Sequence, residues 1–180
     1  MFVVYELPPL GGGVASAASA LLKQWKSSNL QFDVVTSSLT NRFEQESFSE
    51  NITIYKVPIG RKPLHKYQQQ TPLAMLRFTL ASWWQVSKLL FFKRYSNALY
   101  FGYPSALVGW FYSWKVPYVI ALRGADVPGY NPKFSVYYRL IKPLVALSWK
   151  KAKQAAASSM ALLIPSASEG KQNTWQRGSC

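Results

Sequence analysis

A chain of 180 residues is the size of one ordinary domain, and with 49% hydrophobic residues it can bury a core unaided. One cysteine, Cys180, excludes an internal disulfide, and with His65 as the one histidine no structural metal site can be assembled. The charge is strongly positive, 21 Lys and Arg against 7 Asp and Glu for a formal +14, and the acids are segregated. Six of them, Glu6, Asp33, Glu44, Glu46, Glu50 and Glu169, lie toward the ends, whereas between Asn51 and Ser168 Asp126 stands alone among sixteen Lys and Arg. Such a field attracts polyanions, which leaves nucleic acid, anionic lipid and phosphorylated small molecules as partners.

The start, Met1-Phe2-Val3-Val4-Tyr5-Glu6, lacks the basic region of a secretory signal. The most apolar later stretch, Pro72 to Phe92, is interrupted by Arg77, Gln85 and Lys88, so no spanning helix of ~20 apolar residues is expected. The expected location is cytoplasmic, with peripheral contact on the inner face of a membrane as an option.

In chain order, Phe2 to Tyr5 reads as a short strand that Pro8-Pro9-Leu10-Gly11-Gly12-Gly13 breaks sharply. Val14, Ala18, Leu21, Leu22 and Trp25 then recur at helical spacing up to about Ser27, and Phe32 to Thr36 follows as a buried strand. Strand, glycine turn, helix and strand make one βαβ unit. Ile52 to Val57 alternates like a strand and leads into a basic loop, Arg61 to Lys66. A helix is predicted from about Leu73 to Arg94, a strand over Ala98 to Phe101, and a helix from Pro104 to about Trp114. Val116 to Leu122 is the best strand in the chain. A helix over roughly Phe134 to Lys153, kinked or divided at Pro143, and a last strand from Gln154 to Ser158 complete the pattern. This alternation predicts a single α/β domain over residues 1–160, a Rossmann-like parallel sheet with helices on both faces. Residues 161–180 are polar and small without apolar period, and read as a disordered or truncated tail.

Gly11, Gly12 and Gly13 open a helix after the first strand, where backbone N–H groups can approach an anion; a plain tight turn is the alternative. The spacing is not G-x-G-x-x-G and no acid follows the second strand, which argues against a dinucleotide site. Leu122-Arg123-Gly124-Ala125-Asp126 follows the carboxyl end of a strand, the usual ligand edge of an open α/β sheet. There Arg123 can serve phosphate, carboxylate or sugar hydroxyls, and Asp126 can either bind ligand or cap the turn. Tyr103 and Ser105, after the neighbouring strand, would line the same crevice or simply form a helix entry. Trp83, Trp84, Lys88, Lys93 and Arg94 share one helix and could bury into a lipid interface, the alternative being core aromatics with solvated cations. His65, without a nearby carboxylate, reads as solvated, and no nucleophile–base set can be assembled. No RNA or DNA motif accompanies the charge, so nucleic acid ranks last among the partners.

Three segments carry a resemblance. Pro8 to Gly13 with its helix resembles the first loop of family 4 glycosyltransferases, which have the two-Rossmann-domain GT-B fold. Phe101-Gly102-Tyr103-Pro104-Ser105 resembles their "F-G-x-P-S" strand end. Val116 through Tyr130 resembles their "I-P-Y-V-V-x-x-R/H-G-x-D-V-P-G" segment, the most specific of the three. Lys150 to Ser159 is similar to "R-R-A-D-x-V-V-A-N-S", so the match runs from about Phe2 to Met160. The resemblance implies retaining transfer of a sugar from a UDP- or GDP-sugar to a glycan or lipid-linked acceptor, as in the making of cell-envelope polysaccharide, without a further cofactor. It puts Gly11, Gly12 and Gly13 near the donor diphosphate and Tyr103, Ser105, Arg123, Gly124 and Asp126 near sugar or acceptor. Many members have His where this chain has Arg123, which retains hydrogen bonding but not a histidine-specific role. Nothing in the 180 residues corresponds to the family's C-terminal Rossmann domain, which neutralises the leaving diphosphate, so little or no transfer by these residues alone is expected. The competing expectation is a non-catalytic basic module for an anionic membrane or an acidic glycan.

Overall fold

The computed structural model describes residues 1–60, 71–102, 104–122, 143–144 and 146–157. In chain order these form β1 (Phe2–Val4), α1 (Gly13–Trp25), β2 (Phe32–Ser37), β3 (Glu44–Ser49), β4 (Ile52–Val57), α2 (Pro72–Phe92), β5 (Ala98–Phe101), α3 (Ser105–Phe111), β6 (Tyr118–Leu122) and β7 (Gln154–Ala157). Residues 146–151 are also helical, the later part of the helix predicted over Phe134 to Lys153. The rest of that helix, the basic loop with His65, and the tail over 161–180 lie outside the described residues.

The strands form one sheet in the order β3-β4-β2-β1-β5-β6-β7. β3 runs antiparallel to β4 at one edge, and every other neighbouring pair is parallel. Without β3, the parallel strands taken in chain order lie 3-2-1-4-5-6, the doubly wound Rossmann order, whose direction of winding reverses between β1 and β5. The predicted α/β, Rossmann-like sheet is therefore present.

Alternation along each strand feeds two cores. Phe2 and Val4 of β1, with Val34, Ile52, Ile54 and Phe101, pack under Ala18 and Leu22 of α1. Val3, Val35, Val57, Tyr100 and Ile120 point to the other face and pack under α2 and α3 through Phe78, Val86, Leu89, Ala106 and Val108. Burying each such Val, Leu, Ile or Phe side chain contributes ~1.5–3 kcal/mol, so helices on both faces follow from the two-sided apolar pattern.

Local signals set the helix ends. Thr71 caps α2 by accepting a hydrogen bond from the Ala74 N–H at 3.2 Å, with Pro72 in the first turn. The end of α1 is fastened by Asn51, whose side-chain amide donates to the Trp25, Ser28 and Leu30 carbonyls. α3 is shorter than predicted: Pro104 caps it, and the Tyr112 N–H turns back to Gly109 and Trp110, ending the helix at Phe111. β3 was not expected; its side chains, Glu-Gln-Glu-Ser-Phe-Ser, are mostly exposed, so no buried face marked it in the sequence.

Candidate functional site at the strand carboxyl ends

The parallel register sets the crevice. Val4 of β1 lies level with Phe101 of β5, and Phe101 lies level with Ala121 of β6. The chain thus leaves three adjacent strands at one height: into the Leu7–Gly12 loop, into Gly102, and into the segment that starts at Arg123. The first two flank the reversal point between β1 and β5, where open α/β sheets bind ligands. Gly102 is held there by its N–H to the Ala121 carbonyl at 2.9 Å, and its φ of 72° is left-handed, which favours glycine.

In the first loop the three glycines differ. Gly11 has φ 84°, and a Cβ there would overlap the Glu6 carboxylate, which folds over it. Gly12 and Gly13 have open space where a Cβ would be, Gly12 caps α1, and Gly13 begins it. An approaching anion can therefore reach the first turn of α1 at Gly12 and Gly13, whereas the Glu6 side chain covers Gly11. Glu6 was not among the expected site residues; its position two residues after β1, at the ligand edge of the sheet, is the signal that marks it.

Ser105 opens α3 fully buried, and its Oγ has no partner among the described residues. Tyr103, Arg123, Gly124 and Asp126, the other expected crevice residues, lie outside the described residues. Beside the crevice, on the α1 side, a cleft of about 190 Å³ is bounded by the Leu7–Leu10 loop, Ser19 and Leu22 of α1, and Phe48 and Lys56. Thr36, at the end of β2, contributes to its wall; its Oγ1 is buried without a partner among the described residues, and Lys56 pairs with Glu46 at 2.7 Å. Among the described residues no group of His, Cys, Asp and Glu could hold a metal ion.

The expected membrane residues divide. Trp83 and Trp84 are exposed, and Lys88 places its ammonium 5.3 Å from the centre of the Trp84 ring. Arg94 is exposed just after α2. Lys93 is turned toward the sheet instead: its Nζ donates to both oxygens of the buried Asp33 at 2.9 and 2.8 Å, and the Tyr95 hydroxyl donates to the same carboxylate at 2.5 Å. Partial burial pulls the Lys93 pKa down, but the hydrogen bond and charge of Asp33 outweigh it and hold the ammonium above its ordinary value. Among the described residues no helix is long and apolar enough to cross a membrane. No protein-family model matches the chain, and no curated protein is recognisably similar to it in sequence.

Proposed function

We propose that this domain is the acceptor-side Rossmann-like half of a retaining GT-B glycosyltransferase, acting from the cytoplasmic side on a UDP- or GDP-sugar and a glycan or lipid-linked acceptor. The observation that carries the reading is the placement of Pro8–Gly13 and Phe101–Ser105. These two family-like segments are distant in sequence, yet they leave adjacent strands side by side at the reversal point.

In this reading the donor diphosphate meets the N–H groups at Gly12 and Gly13, and the open space there admits it. The Glu6 side chain, folded over Gly11, sets the steric boundary of that subsite. By resemblance the sugar or acceptor falls to Ser105, which is buried at the start of α3, and to Arg123 and Asp126, which lie outside the described residues. The groups that stabilise charge on the departing diphosphate belong to a second Rossmann domain, and that stabilisation is commonly the largest catalytic contribution.

The test is a transfer assay with radiolabelled UDP- and GDP-sugars and a membrane lipid extract as acceptor. The 180 residues alone are expected to give no turnover above background, and a donor-binding domain of the same architecture supplied in trans is expected to restore it. Robust transfer by the chain alone would contradict the division of labour between the two domains.

A further inference from the structure

The cleft beside the first loop plays no part in the proposed transfer. It arises where the sheet outruns its cover. Among the described residues α1 is the one helix on its face of the sheet, packing on Val4, Val34 and Ile54, whereas α2 and α3 lie on the other face. The sheet continues past α1 through β4 to the antiparallel edge strand β3. Strand period sets the floor of the space this leaves. Thr36 lies two residues after Val34 and level with Lys56, and Glu46 lies level with Ile54, so all four side chains are on the α1 side. Leu10 from the loop after β1, Leu22 of α1 and the exposed Phe48 of β3 bound the sides.

We propose that this cleft is a binding site for one neutral, polyhydroxylated six-membered ring, a free monosaccharide or cyclitol, separate from the crevice at the reversal point. Size limits the ligand first. The volume of about 190 Å³ exceeds the ~150 Å³ of a cavity that admits benzene and falls short of the ~300 Å³ at which drug-sized pockets begin. It takes a single ring, and a nucleotide sugar is too large for it. Chemistry limits the ligand next. Thr36 is 1% exposed, its Oγ1 has no partner among the described residues, and a buried hydroxyl left unpaired is costly. A ligand hydroxyl can pair with it as donor or acceptor, which an apolar ring cannot do. At the rim Lys56 and Glu46 neutralise one another at 2.7 Å, so this wall offers no net charge to an anion. Each keeps unused hydrogen-bonding capacity for further ligand hydroxyls. Leu10, Leu22, Ile54 and Phe48 supply the apolar surface that the C–H faces of such a ring need. The site rests on the cleft itself and is independent of the glycosyltransferase reading.

The test is an amide-resolved NMR titration of the full chain with free glucose, mannose and myo-inositol, with cyclohexanol and inorganic phosphate as controls. At least one of the three polyhydroxylated rings should give saturable shifts at Ser19, Thr36, Phe48 and Lys56, at least tenfold tighter than either control. Thr36→Val, which deletes the hydroxyl at nearly constant volume, should weaken that binding at least tenfold with an unchanged or higher Tm. Ser19→Phe, which fills the cleft from α1, should abolish it, and Leu30→Glu, elsewhere on the surface, should retain it. No saturable shift with any of the three rings would overturn the inference and leave a water-filled cleft only. An equal response to cyclohexanol or phosphate, or undiminished binding by Thr36→Val, would overturn it as well. Shifts at Gly12 and Gly13 with UDP-glucose, in a protein that binds none of the three rings, would remove this site and leave the glycosyltransferase reading standing; ring binding without those shifts would do the reverse.

Discussion

Gly109→Val is expected to destabilise the domain by about 3 kcal/mol. A Cβ at Gly109 would lie 2.7 and 2.8 Å from ring atoms of Tyr100 and 3.0 Å from a ring atom of Tyr118. Both tyrosines are 1% exposed and pack edge to face with ring centres 5.5 Å apart, so neither ring has room to move aside. The Tyr118 hydroxyl is further committed to the Ser148 carbonyl at 2.5 Å. The larger side chain must lift α3 off β5 and β6, and with it the Gly102–Ser105 corner of the crevice. Gly109→Ala should cost less, because the ~1 kcal/mol gain in helix propensity offsets part of the clash. Thermal unfolding should show a Tm lower by roughly 6–12 °C for the valine variant. A wild-type Tm would mean that α3 does not pack on the sheet this closely.

Lys93→Met is the second large effect, with an expected loss of about 2 kcal/mol. Breaking a buried ion pair commonly costs ~3–5 kcal/mol; the lower figure reflects solvent around Lys93, whose side chain is 47% exposed against 9% for Asp33. The substitution strands the buried carboxylate with Tyr95 as its remaining donor among the described residues. Asp33→Asn in the same background should recover part of the loss, since it removes the stranded charge. Urea unfolding of the two single variants and the double variant would show a coupling of about 1 kcal/mol if the geometry is as described. Additive effects would mean that solvent screens the pair. The tie fastens the residue just after α2 to the amino end of β2 and so helps fix the slope of α2 across the sheet.

Much of the frame was legible because each buried strand is apolar and stopped by a turn. Ile52–Val57 and Ala98–Phe101 have the observed bounds, and Ala18 and Leu22 of α1 sit in the core where the spacing put them. β3 was illegible for the opposite reason: an exposed edge strand held by backbone pairing leaves no hydrophobic period. Lys93 read as one more cation near two tryptophans because its partner, Asp33, is distant in sequence and joins it only through the fold. α2 was ambiguous for a physical reason as well. A helix apolar all round looks the same in sequence whether one face or both are buried, and only the sheet decides that Leu73, Leu80, Trp84 and Phe91 point away. At the crevice, the glycine turn was visible but the Glu6 carboxylate over Gly11 was not, since a side chain folding back across a loop leaves no periodic trace.

The proposed sugar-nucleotide crevice between the loops after β1 and β5 is tested by an amide-resolved NMR titration of the chain with UDP-glucose and GDP-mannose. Saturable shifts at millimolar ligand are expected at Gly11, Gly12, Gly13, Gly102 and Ser105, with β3 and the outer face of α2 unmoved. Shifts confined to other surfaces, or none at saturating nucleotide sugar, would contradict it.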